Sequence, residues 1–389
     1  MGVVPDGAKP TEAGGAFMSK RGAKRSRATQ FNSQVLQLAV VAGSPALVWG
    51  EPGVGKTSFV EQLALSLGRH LEVVVASLRE PADFAGLPLI HGREVHLAPP
   101  RWAVRLAGEP SGLLFLDEIT TAPPAVQAAL LRVVVERTVG ELALPESVGV
   151  IAAANPADVA AGGWELSPAL ANRFVHLEWR ADVESFTEGL VAGWPAPEPV
   201  TVPATWRGGI AAQNALVAGF LRSRPELRQS LPQDDLARGR AWPSHRTWTM
   251  AARLAAVAVS AGAAADVTLA LLSGCVGGGP AVEFLAWAMS LDLPDPEELL
   301  RSPAGLDPGG RPDQVYAILS SVVGAVAANP TVDRWQAGWS VLARVGDSAV
   351  DVAVGAARSL ARLRPLGASV PVSASGLCAV LEQSGIRLK

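Results

Sequence analysis

The chain has 389 residues, 49% hydrophobic and 18% charged, with a formal net charge of −3 at pH 7; that length holds two to three domains with ample apolar content for a core. Its two cysteines, Cys275 and Cys378, are too few and too far apart for a disulfide framework or a metal knuckle, and they suit a reducing, cytoplasmic setting. Residues 1–29 hold no apolar signal-like run, and the uncharged stretch Val267 to Val282 is too short and Gly-rich to span a membrane.

Lys9, Lys20, Arg21, Lys24, Arg25 and Arg27 against Asp6 and Glu12 give residues 1–29 a charge of +4, which leaves −7 on the rest. The segment reads as a solvated, disordered tail, with contact to nucleic acid or a partner as the alternative. Gln30 to Gly43 reads as a helix or turn, and Ala46 to Trp49 as a buried strand. An amphipathic helix follows over Thr57–Leu67, then a second apolar strand over Leu71–Leu78, continuous enough to be buried on both faces. Leu87 to Leu97 reads as a hairpin turning at His91-Gly92-Arg93-Glu94, with a helix over Trp102–Ala107 behind it. A third strand (Leu113–Leu116), a helix (Pro124–Glu136), a short hairpin (Arg137–Leu144), a fourth strand (Val148–Ala154) and a fifth (Phe174–Trp179) complete this half. Alternating strands and helices predict a parallel α/β sheet covered on both faces.

After Arg180 the pattern is helical throughout. Helices are expected at Asp182–Gly193, Trp206–Arg224, Arg246–Gly262, Asp266–Gly274 and Ala281–Leu291. A Pro/Gly linker spans Ser302–Pro312, and further helices are expected at Asp313–Asn329, Thr331–Arg344, Asp347–Arg362 and Ser375–Gly385. The chain thus divides into a tail (1–29), an α/β domain (30–180), a helical second domain (181–301) and a helical extension (313–389).

Gly50-Glu51-Pro52-Gly53-Val54-Gly55-Lys56-Thr57 fits G-x-x-x-x-G-K-[ST], the phosphate-binding P-loop, with Ser58 next in the helix. Lys56 is the only lysine between Lys24 and Lys389; elsewhere this stretch uses arginine. A compact ammonium can follow the β- and γ-phosphates, which a broad planar guanidinium does poorly. The glycines permit a tight turn and let backbone N–H groups approach phosphate, and Thr57 offers a hydroxyl to Mg²⁺. Leu113-Leu114-Phe115-Leu116-Asp117-Glu118 delivers two acids to the carboxyl edge of the sheet. Asp117 would hold Mg²⁺ through its water shell, and Glu118 would orient the attacking water. Asn155, after Ala152-Ala153-Ala154, either bonds the γ-phosphate or water, or caps a turn. ATP is the expected nucleotide: the N-K-x-D guanine signature is impossible with Lys56 as the one internal lysine. His91 and His96 read as surface residues, and no H-E-x-x-H, C-x-x-C or G-x-S-x-G occurs.

Together, the loop at 50–57, the acids after 113–116 and Asn155 resemble an AAA+ ATPase. Phe115-Leu116-Asp117-Glu118-Ile119-Thr120-Thr121-Ala122-Pro123-Pro124-Ala125-Val126-Gln127 resembles the MoxR branch of the dynein-related group, kin to magnesium-chelatase ATPases and the NorQ/CbbQ and GvpN activators. The resemblance covers about residues 30–265. It implies that Arg173, in Leu166-Ser167-Pro168-Ala169-Leu170-Ala171-Asn172-Arg173-Phe174, is a finger for a neighbour's nucleotide, with Asn172 replacing the usual Asp. It implies that Arg246, in Pro243-Ser244-His245-Arg246, touches the γ-phosphate in cis from a lid helix. It also implies a homo-oligomeric, hexameric ring, two hairpins facing pore or client (ordinary solvated hairpins otherwise), and a protein client, with a von Willebrand factor A domain partner as a separate chain. Chaperone-like remodelling is the expected output. A nucleic-acid-stimulated ATPase is disfavoured by the acidic body, and an ATP-switched scaffold by the intact Glu118 and Arg173.

Overall fold

The computed structural model describes residues 27–156, 163–194, 196–291, 293–306, 311–346 and 350–383. Most of the basic tail therefore lies outside the described residues, and Arg27 already begins the first helix, α1 (Arg27–Val41). Next come β1 (Ala46–Trp49), α2 (Lys56–Ser66), β2 (His70–Val75), α3 (Ala82–Ala85), the hairpin β3 (Leu87–His91) and β4 (Glu94–Ala98), and α4 (Arg101–Gly108). Then follow β5 (Gly112–Asp117), α5 (Pro124–Glu136), the hairpin β6 (Thr138–Val139) and β7 (Leu142–Ala143), β8 (Val148–Ala154), α6 (Pro168–Ala171) and β9 (Val175–Glu178).

Five strands form one parallel sheet in the order β2-β5-β8-β1-β9. Alternation sorts their side chains onto two cores. Ala46, Val48, Leu113, Phe115, Ile151, Ala153, Val175 and Leu177 pack with α1, α2 and the later helices. Leu47, Trp49, Leu114, Leu116, Val150, Ala152 and Ala154 pack against α4, α5 and α6. The register aligns Trp49 with Ala154 and Glu178, and Val75 with Asp117, so the loops after these strands share one edge.

The second strand differs from expectation. It ends at Val75, and Ala76–Leu78 turn as a 3-10 segment. As an edge strand it is covered on one side only, so Val73 stays 38% exposed despite its apolar sequence.

The helical half holds α7 (Val183–Ala192), α8 (Ile210–Ser223), α9 (Asp235–Arg238), α10 (His245–Ser260), α11 (Ala265–Val276) and α12 (Gly278–Met289). Trp206 lies in a 3-10 turn, Ala204–Gly209, rather than in α8, because Gly208 and Gly209 interrupt the helix. Ser244 caps α10 reciprocally with Thr247. Helix α11 lies directly on β9: a Cβ at Gly274 would stand 2.3 Å from the His176 carbonyl oxygen.

The sequence pattern missed α13 (Pro296–Arg301), a proline-started helix capped by Asp295. Its Leu299 and Leu300 join a third core with α14 (Pro312–Ala328), α15 (Val332–Gly346), α16 (Val350–Arg362) and α17 (Ser375–Gln383). Trp335 and Trp339 sit at its centre, and Trp335 Nε1 donates to the Leu360 carbonyl at 2.8 Å. Arg334 forks onto Glu297 through two 2.7 Å bonds. This bundle is joined to the preceding helices: α14 lies against α8, where Gly324 meets Ala211 and Gly219 meets Trp287 and Ala317. Among the described residues no helix is long and apolar enough to cross a membrane.

Candidate functional site

The phosphate loop leaves β1 at Trp49 and enters α2 at Lys56. Gly53 and Gly55 have φ of 80° and 87°, a conformation side-chain-bearing residues rarely adopt. Gly50 is small for another reason: a Cβ there would lie 2.9 Å from the Trp179 Cβ. The N-cap of α2 is Gly55, with no side-chain cap, so the first N–H groups of the helix stay open for an anion.

Lys56 is buried and donates to Gly50 O (2.7 Å), Glu51 O (2.9 Å) and Asn155 Oδ1 (3.0 Å). Burial lowers its pKa from the usual lysine value, while Asp117 opposes that shift. Asn155 thus stands beside the phosphate loop, as its place at the end of β8 predicts. Its backbone N–H and C=O both meet the buried Thr120 hydroxyl, at 3.4 Å each.

Thr57 Oγ1 donates to Asp117 Oδ2 at 2.8 Å across 60 residues of sequence. A hydroxyl and one carboxylate suit Mg²⁺, which keeps waters and takes its remaining ligands from phosphate. No cluster of three or more His, Cys, Asp or Glu that would hold a metal alone occurs among the described residues. Glu118 follows with φ 54°, a left-handed conformation costly for a residue with a side chain. Its backbone N–H returns to Asp117 Oδ1 at 2.9 Å, and its carboxylate accepts from Ser77 Oγ at 2.6 Å. Ser77 was not anticipated: the run Leu71–Leu78 read as strand, which hid a turn that brings a hydroxyl to Glu118.

Beside the loop lies a cavity of about 580 Å³, within the usual range for small-molecule sites. Thr29 and Asn32 of α1, Val54 of the loop, Phe59 of α2, Trp179 after β9, and Phe186 and Trp194 around α7 line it. Its walls are pinned. Trp179 Nε1 donates to Val54 O at 3.2 Å and its ring meets Phe59 edge-on at 5.1 Å. Both amide atoms of Asn32 are spent on the Arg180 backbone, at 2.6 and 3.2 Å. The Arg180 guanidinium lies 3.3 Å over the Phe31 ring. Apart from Val54 of the phosphate loop, none of these residues stands out in the sequence, because they come from three distant segments with no shared motif.

Arg173 and Arg246 stand together at another point. Arg173 donates to Ala169 O at 3.2 Å, and its pKa is lowered first by desolvation and then by Arg246. Arg246 Nη1 donates to Asn172 Oδ1 at 3.1 Å, and Ser244 Oγ donates to the same oxygen at 2.8 Å. Asn172 is buried, and its Nδ2 finds no partner among the described residues. A neutral amide where an acid is usual leaves the two guanidiniums without a carboxylate between them. Gln127 ties this turn to α5: its Nε2 donates to Ala122 O (3.2 Å) and Glu165 O (3.3 Å), and its Oε1 accepts from Ser167 N (3.0 Å).

The two hairpins touch. Gly140 N donates to Phe84 O at 3.3 Å and Glu141 N to Leu97 O at 3.1 Å, and a Cβ at Gly140 would strike Leu97 O. Leu89, Ile90 and Val95 of the first hairpin are exposed. His96 lies between Glu94 (3.7 Å) and Glu141 (3.4 Å), an exposed arrangement in keeping with surface histidines.

Comparison with known proteins follows the same lines. Residues 45–174 match the AAA domain of the dynein-related subfamily. No curated protein matches the sequence. Among solved structures, the chain is similar to a candidate ATPase from Cytophaga hutchinsonii, at 17% identity and a TM-score of 0.40, over 66% of this chain and 88% of that one. It is also similar to a full-length MCM homologue from Methanopyrus kandleri, at 20% identity and a TM-score of 0.36, over 66% of this chain and 54% of that one.

Proposed function

We propose that this chain, whose residues 45–174 match the AAA domain of the dynein-related subfamily and lie on a parallel sheet, is a MoxR-type ATPase that couples Mg²⁺-dependent ATP hydrolysis to remodelling a partner protein. The observation that carries this reading is the convergence of Lys56, Thr57, Asp117 and Asn155 on one sheet edge, beside an apolar cavity. The cavity suits a purine, with the triphosphate running over Gly53, Gly55 and the open start of α2.

The chain's own groups would act as follows. Lys56, now bonded to two loop carbonyls and Asn155, exchanges those acceptors for phosphate oxygens. Thr57 and Asp117 would give up their mutual bond to hold Mg²⁺. The ion supplies charge neutralisation at the β- and γ-phosphates. Glu118, once released by Ser77, accepts a proton from the water that attacks the γ-phosphorus in line with the departing diphosphate oxygen. Asn155 orients that water or the γ-phosphate. Arg173 reaches the nucleotide of a neighbouring copy, which makes a ring, expected to be hexameric, the working form. Arg246 reaches the γ-phosphate in cis only by leaving Asn172.

The remodelled partner is a separate polypeptide, with a von Willebrand factor A domain protein as the first candidate. The exposed apolar edge of the β3–β4 hairpin supports a polypeptide client. A net charge of −7 beyond residue 29 disfavours a polyanion as partner.

The test is turnover against protein concentration, with Arg173→Ala and Lys56→Ala variants alone and mixed. A steep rise with concentration, and partial recovery on mixing the two dead variants, supports shared sites. Flat specific activity with no recovery removes both the trans finger and the ring.

A further inference from the structure

A buried polar bridge joins the strand that feeds the phosphate loop to the turn that carries Arg173. Leu47 pairs with His176 and Trp49 with Glu178, so alternation puts Trp49, His176 and Glu178 on one face of the β1–β9 pair. Trp49 Nε1 donates to His176 Nδ1 at 2.9 Å. His176 Nε2 lies 2.9 Å from the Ala171 carbonyl oxygen, two residues before Arg173. Trp49, His176 and Ala171 are buried.

The chemistry of the two partners fixes the imidazole. An indole N–H only donates and a carbonyl only accepts. Nδ1 must therefore be bare and Nε2 must carry the hydrogen, and no other protonation state makes both bonds. The lid caps this bridge from outside. Arg240 places its guanidinium carbon 3.6 Å above the Trp49 ring and pairs with Glu178 at 2.9 Å.

We propose that His176 is a positioning residue for Arg173. It holds the Arg173 turn in register with the chain's own phosphate loop, so that the finger offered to a neighbour is set by the strand entering the donor's nucleotide site. The proposal rests on the trans-finger reading above. Trp49 is the residue immediately before Gly50, whose N–H bonds Ala154 O. A shift of the loop therefore reaches Ala171 through two hydrogen bonds and no intervening flexible segment. Asn172 ties the same turn to the start of α10 through Ser244 and Arg246. The finger turn is thus gripped from the nucleotide strand and from the lid.

Mixed assemblies separate a finger defect from a general one. In the first mixture, Arg173→Ala subunits supply the only live sites, and Lys56→Ala/His176→Phe subunits supply the only fingers. In the second, Arg173→Ala/His176→Phe subunits supply the sites and Lys56→Ala subunits the fingers. The reference is Arg173→Ala with Lys56→Ala. A finger displaced by about an ångström loses on the order of ten- to a hundredfold in rate, so the first mixture should fall by that factor while the second stays within about twofold of the reference.

Trp49→Phe, which removes the N–H donor while keeping an aromatic ring in the core, repeats both arms in case the His176 variant unfolds. His176→Gln, which keeps a donor towards Ala171, should restore much of the first mixture. Equal losses in both arms, or no loss in the first, overturn the positioning role. A reference mixture without activity instead overturns the trans-finger reading itself, and the proposal with it.

Discussion

Lowering the pH from 7 to 5 should weaken this protein through one side chain, His176. Its pKa is lowered to about 4, chiefly by desolvation; the bond to Ala171 opposes that shift and Arg240 adds to it. In the unfolded chain the imidazole titrates near 6.5. The unfolded state therefore takes up the proton first, so the contribution is complete above about pH 6.5 and is lost as the pH falls towards 4. The full difference of about 2.5 pKa units corresponds to about 3 kcal/mol, of which about 2 kcal/mol is gone by pH 5. Urea unfolding followed by tryptophan fluorescence, at pH 7 and pH 5, reads this directly. His176→Gln lacks the titration, so its stability should fall by about 2 kcal/mol less than the wild type over the same interval. Carboxylates common to both proteins cancel in that difference. Identical pH responses in the two proteins would refute the argument, because His176 would then titrate no differently folded and unfolded.

Glu118→Gln should keep ATP binding and lower turnover by roughly 10²–10⁴-fold; a variant with normal turnover removes Glu118 as the base. Lys56→Arg should weaken ATP binding by at least about tenfold, since three acceptors converge on a buried Nζ that a planar fork cannot replace; unchanged affinity in calorimetry would contradict the geometry. Gly274→Ala should cost about 1–3 kcal/mol, as the added Cβ meets the His176 carbonyl oxygen and the Val175 side chain where α11 lies on β9; an unaltered denaturation midpoint would mean that contact relaxes freely.

The legible parts of this molecule were those written in contiguous residues. The phosphate loop needs glycines at positive φ followed at once by lysine, so Gly53, Gly55 and Lys56 announce it. Asp117 and Glu118 are legible because an apolar strand must end where they stand. The sheet itself followed from strand and helix alternation. Less legible were features that depend on what lies alongside. The apolar run through Leu78 does not say that β2 is an edge strand that turns at Ala76 and delivers Ser77 to Glu118. The cavity walls at Asn32, Trp179 and Phe186 meet only after folding. His176 read as one more residue of a buried strand, and only pairing with β1 turns it into a bridge. Helix α13 was lost inside a Pro-rich stretch because proline reads as a breaker, although at a helix start it is favoured.

The seam between α8 and α14 makes the C-terminal bundle a lever. Gly219 and Gly324 let the two helices approach closely, so the bundle has little freedom to move apart from α8. Helix α14 has 17 residues. At 1.5 Å per residue that is an arm of about 25 Å. A hinge rotation of about 10° would sweep its far end through about 4 Å, so a small rotation at α8 becomes travel at the far end of the bundle. Under the proposed function, a partner gripping that rim would feel such a rotation as displacement.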